Sequence, residues 1–210
     1  MFQSNDGMEY ARRDMVRGLA ERGISGVVLD VFYRTPRHFF VSDGLRYSAY
    51  RDSSLPIGFG QTISKPSIIA GMVQALALTG EEHVLEIGTG SGYQAAVLSQ
   101  LAKHVVTMER IGVLSERAVD VFKSFEISNV TFLHTDDFNN AEGTFDAILV
   151  AAGVEIFPVD LCGKLNSGGR LVIPVGGKDG HQIMKYVKKA DGSLLEDNIG
   201  SATFVPYIAG

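Results

Sequence analysis

"VLEIGTGSGYQAAVLSQL", residues 84–101, decides how the rest of the chain is read. Val84 to Ile87 is short and apolar except for Glu86, as a buried strand can be, and it runs without a linker into Gly88, Gly90 and Gly92. The residues after Ser91 then have helical spacing. A strand that turns through glycines directly into a helix lets a ligand approach the backbone closely, and the helix start offers unpaired N–H groups. The spacing is G-x-G-x-G, which departs from the G-x-G-x-x-G of dinucleotide sites. A tight turn without a ligand would use the same glycines.

Outward from this stretch, strand and helix alternate. Residues 83–88, 104–109, 129–134, 145–152 and 168–176 read as strands, and residues 91–102 and 112–125 as helices. Such alternation predicts an α/β fold: a Rossmann-like, doubly wound, mainly parallel sheet covered on both faces. Residues 181–208 instead read as two strands joined by a turn at Ala190-Asp191-Gly192, which puts an antiparallel edge at the C-terminal end. Upstream, residues 8–23 form an amphipathic pattern with Met8, Ala11, Met15 and Leu19 on one stripe. Ser25 is placed to cap a second helix that stops before Pro36. Residues 36–64 are irregular or short strands, and residues 66–79 return to helical spacing. The whole, 1–210, reads as one domain. Residues 1–79 are a helical and irregular extension, and residues 80–210 are a cofactor-binding core.

Composition excludes several classes. The chain has 210 residues, 45% hydrophobic and 20% charged, ordinary values for a globular protein. No apolar run approaches the roughly 20 residues of a membrane span. Net charge is −5, a poor start for binding a phosphate backbone, so no nucleic-acid partner is expected. The mixed-sign stretch "EYARRDMVR" (9–17) reads as a solvated helix face. Cys162 is the single cysteine, so no internal disulfide forms, and residues 1–10 lack the pattern of a signal peptide. Together these point to the cytoplasm. The five histidines show no ligand spacing, and His134 beside Asp136 and Asp137 is a weak metal pattern, so no metal is expected.

Two carboxylates sharpen the glycine loop. Glu86 lies two positions before Gly88 and is expected on the ligand side of the strand end. Glu109 ends the next strand, where doubly wound sheets keep an acid for ribose hydroxyls. An acid beside a pyrophosphate would be repelled, whereas an acid beside an amino or sulfonium group is favoured. S-adenosylmethionine carries both cations and no phosphate, so the loop favours it over NAD. The expected cofactor contacts are Ile63, Ser64, Glu86, Gly88, Thr89, Gly90, Gly92, Glu109 and Arg110, with Asp136 and Asp137 toward the adenine amino group. A solvated strand end for Glu109, and a pair of turn-forming residues at Asp136 and Asp137, remain open.

Several stretches, in order, resemble one family. "TPRHFFV" (35–41), "AYRDSSLPIGFGQTISKP" (49–66), the glycine loop, "LNSGGRLVIPVGG" (165–177) and "FVPYI" (204–208) are similar to the protein-L-isoaspartate (D-aspartate) O-methyltransferases over nearly the whole chain from about residue 12. The Q-T-I-S-x-P block is the specific part, because many methyltransferases share the glycine loop and few carry that block. The resemblance implies a class I S-adenosylmethionine-dependent methyltransferase fold. It also implies methyl transfer to the free α-carboxylate of L-isoaspartyl residues in damaged proteins, followed by closure to a succinimide. The family's active-site serine falls on Ser64, with Thr62 beside it. Alternation along an extended chain puts those two hydroxyls on one face. The acceptor carboxylate, with a pKa of about 3.5, is already ionised at neutral pH, so holding it in line matters more than a base.

A helix-cap role for Ser64 ahead of Pro66 is the alternative. The chain departs from the family pattern at Asp137, where glycine is common, and at Lys65, Ile69 and Ala151. A methyltransferase for another acceptor, a cofactor-binding protein without transfer activity, and a nicotinamide oxidoreductase are the rival functions. The expected partner is an isoaspartyl peptide or protein, met by a monomer.

Overall fold

The computed structural model describes residues 7–208. The sequence reading of the first residues as no leader therefore falls mostly outside the described part.

Helix α1 spans Glu9–Glu21 and α2 spans Gly26–Arg34. The α1 stripe buries Met15 and Leu19 as its spacing predicts, but Arg12 is buried with them. Its Nε donates to the Tyr50 hydroxyl at 3.2 Å, and its guanidinium lies over the Tyr33 and Tyr50 rings. The stretch 9–17 is thus only partly a solvated face: ring faces and a phenol oxygen substitute for water around one arginine. Ser25 occupies the N-cap position of α2 without a side-chain cap bond. Its backbone N–H instead donates to Gln74 Oε1 at 2.9 Å, tying the start of α2 to the next helix.

Two 3₁₀ turns, Arg37–Phe40 and Asp43–Ser48, lead into a hairpin of β1 (Leu55–Gly58) and β2 (Gln61–Ile63). Its turn residues Phe59 and Gly60 both have positive φ, 55° and 71°, the twist a tight hairpin requires. Helix α3 (Pro66–Leu76) opens on Pro66, whose missing N–H costs nothing in a first turn. Its N-cap is Lys65, with no side-chain bond, and the first-turn amide of Ser67 donates to Asp52 Oδ1 at 2.9 Å. Capping is therefore not what Ser64 does.

The core is a seven-stranded sheet in the order β5-β4-β3-β6-β7-β8-β9. The strands are β3 (His83–Ile87), β4 (His104–Glu109), β5 (Val130–His134), β6 (Phe145–Val150), β7 (Leu165–Gly177), β8 (Gly180–Lys188) and β9 (Leu194–Ala202). Pairs from β5 to β7 are parallel, while β7-β8 and β8-β9 are antiparallel, as the alternation and the turn at residues 190–192 predict. Helices α4 (Tyr93–Leu98) and α5 (Gly112–Ser124) connect β3 to β4 and β4 to β5.

Alternation along each strand divides the core in two. Val84, Val105, Ala147, Leu149 and Val172 meet the helices, in a cluster that also includes Met15, Phe32, Ile69, Val97 and Phe122. Leu85, Ile87, Met108, Ile148, Val150 and Leu171 face the other way. That second face is covered by Ala141, Leu161 and the 3₁₀ turns Phe138–Asn140 and Val159–Lys164 rather than by long helices. Both faces are dry, but only one is helical.

Strand order reverses at β3. Its neighbours β4 and β6 carry the chain away in opposite directions, which opens a crevice at the carboxyl ends of the strands. The C-terminal residues close one side of it. Gly153 N–H donates to Val205 O and Tyr207 N–H to Gly153 O, each at 2.8 Å. Among the described residues no helix is long and apolar enough to cross a membrane.

Candidate functional site

The crevice contains a cleft that encloses about 810 Å³ of space continuous with solvent. One wall is the glycine loop, Gly88 to Ser91, with Gln94, Met108, Glu109 and Arg110. The opposite wall is Ile57 and the segment Gln61 to Ser64, brought in by the hairpin. Asp136 and Ala151 line the floor and Val205 to Ile208 the remaining side. Thr62, Ile63 and Ser64 thus share one cleft with Gly88, Thr89, Gly90, Glu109, Arg110 and Asp136, all of them candidates from sequence.

Three candidates do not line it. Gly92 is the N-cap of α4 with φ +85°, and a Cβ there would lie 3.0 Å from Ala118 Cβ and 3.1 Å from Phe122 Cε2. Its glycine serves close packing of α5 against the loop. Asp137 is exposed, and its Oδ1 accepts from Asn139 N–H at 2.8 Å, so it holds the following 3₁₀ turn. Glu86 lies wholly inside, one layer behind the wall.

Glu86 nevertheless reaches the cleft through its partners. Gln94 Nε2 donates to Glu86 Oε1 at 3.0 Å, and Thr107 Oγ1 donates to Oε2 at 2.5 Å. With its one proton committed to Glu86, Thr107 accepts from Thr89, whose hydroxyl lies 2.6 Å away. Gln94 and Thr89 line the cleft, so both arms of the carboxylate end at its surface. Burial pushes the Glu86 carboxyl up to about 7, the Thr107 and Gln94 bonds oppose this, and the charge of Glu109 adds to it.

Glu109 is fixed differently. Its Oε2 accepts from Gly90 N–H at 2.9 Å and its Oε1 from Ile111 N–H at 3.0 Å. Each oxygen keeps a free lone pair for a ligand hydroxyl. The backbone carbonyl of Asp136 accepts from Tyr207 Oη at 3.1 Å, which anchors the C-terminal side of the cleft.

The Ser64 wall is held by a residue that local sequence did not single out. Arg37 is fully buried; its Nη2 donates to Ser64 O at 2.7 Å and its Nε to Ala49 O at 2.8 Å. Its guanidinium stacks over the Tyr93 ring at 4.9 Å, and Nη1 and the Tyr93 hydroxyl are buried without a hydrogen-bond partner among the described residues. Burial lowers the Arg37 pKa to about 10, so the group stays charged at neutral pH. Arg37 lies inside the quoted stretch 35–41, but nothing in its local spacing announces a buried cation. Gln94 and Thr107 escaped notice for the same reason: their role is set by cross-strand pairing of Glu86 with Thr107 and by the helix that follows.

The charged residues lining the cleft are Glu109, Asp136 and one cation, the exposed Arg110. Such a site repels a diphosphate and favours a ligand with cationic groups and hydroxyls. Among the described residues no group of three or more His, Cys, Asp or Glu side chains could hold a metal ion.

The fold and the site define a Rossmann-like protein of the S-adenosylmethionine-dependent methyltransferase class. A solved structure from Plasmodium falciparum, assigned as a protein-L-isoaspartate O-methyltransferase in complex with S-adenosyl-L-homocysteine, superposes with TM-score 0.81 at 21% identity, covering 95% of this chain and 99% of that one. The sequence profile of the protein-L-isoaspartate(D-aspartate) O-methyltransferases (PCMT) matches residues 10–210, and the chain belongs to that family. A protein-L-isoaspartate O-methyltransferase of Trichlorobacter lovleyi is 45% identical over 204 residues, covering 95% of this chain and 94% of the relative. One from Vibrio cholerae is 45% identical over 199 residues, covering 93% and 95%.

Proposed function

We propose that this chain methylates the free α-carboxylate of L-isoaspartyl residues in damaged proteins, using S-adenosylmethionine, and so starts their return to aspartate through a succinimide. The observation that carries this is the shared cleft: Thr62 and Ser64 line the same space as the glycine loop, Glu109 and Asp136.

The donor set fits that cofactor. Glu109 would take the ribose hydroxyls and Asp136 the adenine amino group. The glycine loop leaves room for the methionine part, and the scarcity of cations disfavours a phosphate-bearing alternative such as NAD. When bound, S-adenosylmethionine supplies an electrophilic methyl group on a sulfonium.

The chain's own residues do the rest. The acceptor carboxylate, with a pKa of about 3.5, arrives ionised, so no base is required. Ser64 and Thr62 donate hydrogen bonds that orient one carboxylate oxygen while the other stays free to react, an entropic contribution rather than a chemical one. Arg37 fixes the Ser64 backbone through its carbonyl, which supports the serine in this role. Val205 to Tyr207 form the C-terminal side of the cleft.

A monomer in the cytoplasm, acting on proteins without nucleic acid or membrane, belongs to the same proposal. Supporting it are a net charge of −5 and a lone cysteine. The test is methyl incorporation from labelled cofactor into an isoaspartyl peptide and into its aspartyl twin. Labelling of the first alone is expected, and equal labelling of both would reject the proposal.

A further inference from the structure

Beside the cofactor cleft lies a second, wider one of about 1130 Å³. The two share a wall: Ile57, Gly90 and Ser91 line both. Apart from Ser42 and Arg117 the rest of the second cleft is apolar, with Phe39, Leu45, Pro56, Leu114 and Val121, and it carries no acidic side chain. Its one charge is Arg117, which is exposed on α5 and stacks over the Phe59 ring at 5.7 Å; no carboxylate within 4.0 Å pairs with it among the described residues. Residues Pro56 to Gly58 of β1 border the cleft, and β1 pairs only with β2 among the described residues, so its outer edge is open.

We infer that the second cleft is a specificity subsite for the acceptor peptide, taking an apolar side chain, Leu- to Phe-sized, within two residues of the isoaspartyl residue and on one side of it only. This rests on the function proposed above and deepens it. The geometry supplies continuity. Because Ile57, Gly90 and Ser91 line both clefts, a peptide with its isoaspartyl carboxylate at Ser64 can continue past Ile57 into the second, each extended residue adding about 3.3–3.6 Å of reach. The β1 edge can receive its backbone whatever its sequence, while the apolar wall selects one side chain. The charge matches as well. Arg117 attracts a chain carrying carboxylates, and the lack of acids on the wall removes repulsion. A lysine in the same position would meet Arg117 and lose its hydration among Phe39, Leu45 and Val121.

The experiment uses the full-length protein and a set of synthetic isoaspartyl peptides. Ala, Leu, Phe, Asp or Lys is placed at each of the two positions before and after the isoaspartyl residue in an otherwise Ala-Gly background. Methyl transfer from labelled S-adenosylmethionine is measured as kcat/KM. The expected result is a preference of about tenfold for Leu or Phe over Ala at one position, with Lys below Ala and no such preference on the opposite side. In Phe39→Ala, the Leu-to-Ala ratio should collapse toward one. Arg117→Glu changes an exposed side chain and serves as the second variant if Phe39→Ala fails to fold. It should lower kcat/KM most for peptides with an added Asp. Transfer that is equal across the set, or a preference unchanged in both variants, overturns the subsite while leaving the isoaspartyl activity standing. Absence of transfer to every isoaspartyl peptide, with cofactor binding intact, would overturn the underlying function and this inference with it.

Discussion

The two walls of the cofactor cleft hold their polar groups in opposite ways. On the glycine-loop wall, carboxylates are the fixed elements and neighbouring backbone and hydroxyl groups serve them. Glu109 takes two N–H groups from residues within twenty positions, and Glu86 takes Thr107 and Gln94. On the Ser64 wall the fixed element is a cation, Arg37, and it serves backbone carbonyls: Ser64 O, 27 residues away, and Ala49 O. The first wall is assembled by a local strand–turn–helix unit. The second is assembled by packing an N-terminal layer onto that unit. The chemistry facing the cleft follows, with acceptors on one wall and hydroxyl donors on the other. A cationic cofactor and an anionic acceptor can then meet between them without either wall repelling its own ligand.

Breaking the second wall should have the largest effect. Arg37→Ala removes two charge-assisted hydrogen bonds and leaves a cavity under Tyr93, and is expected to cost about 4 kcal/mol in urea unfolding. In whatever fraction folds, kcat should fall more than affinity for S-adenosylhomocysteine, because Ser64 loses its support while the glycine loop keeps its own. Equal losses in both would show that the walls are not independent.

Gly92→Ala attacks the first wall. Its Cβ would press on Ala118 and Phe122 at a positive φ, so α5 must shift, at an expected cost of about 3 kcal/mol in stability and a weakening of cofactor binding measured by calorimetry. Ser64→Ala should leave the melting temperature nearly unchanged, since Ser64 caps no helix, and should lower kcat about 100-fold, near the cost of one transition-state donor. A loss of stability with turnover spared would return Ser64 to a structural role.

Glu86→Gln tests the buried carboxylate by pH. The Glu86 carboxyl is raised from 4.5 to about 7 in the folded protein, so the fold binds that proton more tightly than the unfolded chain does. Its contribution to stability is therefore complete below the unfolded pKa and is lost as pH rises toward 7. Between pH 5 and 7 the parent should lose about 2 kcal/mol relative to Glu86→Gln, a difference read from paired denaturation curves. The smallest effect is expected at Asp137→Gly. The side chain holds a 3₁₀ turn and does not line the cleft, so cofactor affinity should change by less than about twofold, as for an exposed substitution.

These two walls also differ in how far they could be read in advance. The strand–helix alternation, the antiparallel end, and the placement of Gly88, Gly90 and Glu109 around one turn were legible, because each depends on contacts within a few residues or on simple periodicity. The family resemblance carried Ser64 and Thr62 to the same cleft. The burial of Glu86 behind the wall was not legible: its position two residues before Gly88 fits a side chain facing a ligand equally well, and only the packing of α4 with Gln94 turns it inward. Asp136 and Asp137 are adjacent in sequence, and the direction of one turn sends the first to the cleft and the second to solvent.

The amino-acid sequence by itself determined the sheet, its mixed edge, the glycine loop and the family to which the chain belongs, because periodicity and short motifs are local and survive without knowledge of distant partners. Tertiary structure alone decided that a buried arginine stands behind Ser64, that one acid works through two neighbours, and that a second cleft opens next to the first. Each of these depends on bringing together residues tens of positions apart, where desolvation and packing choose the partner and the order of residues along the chain does not.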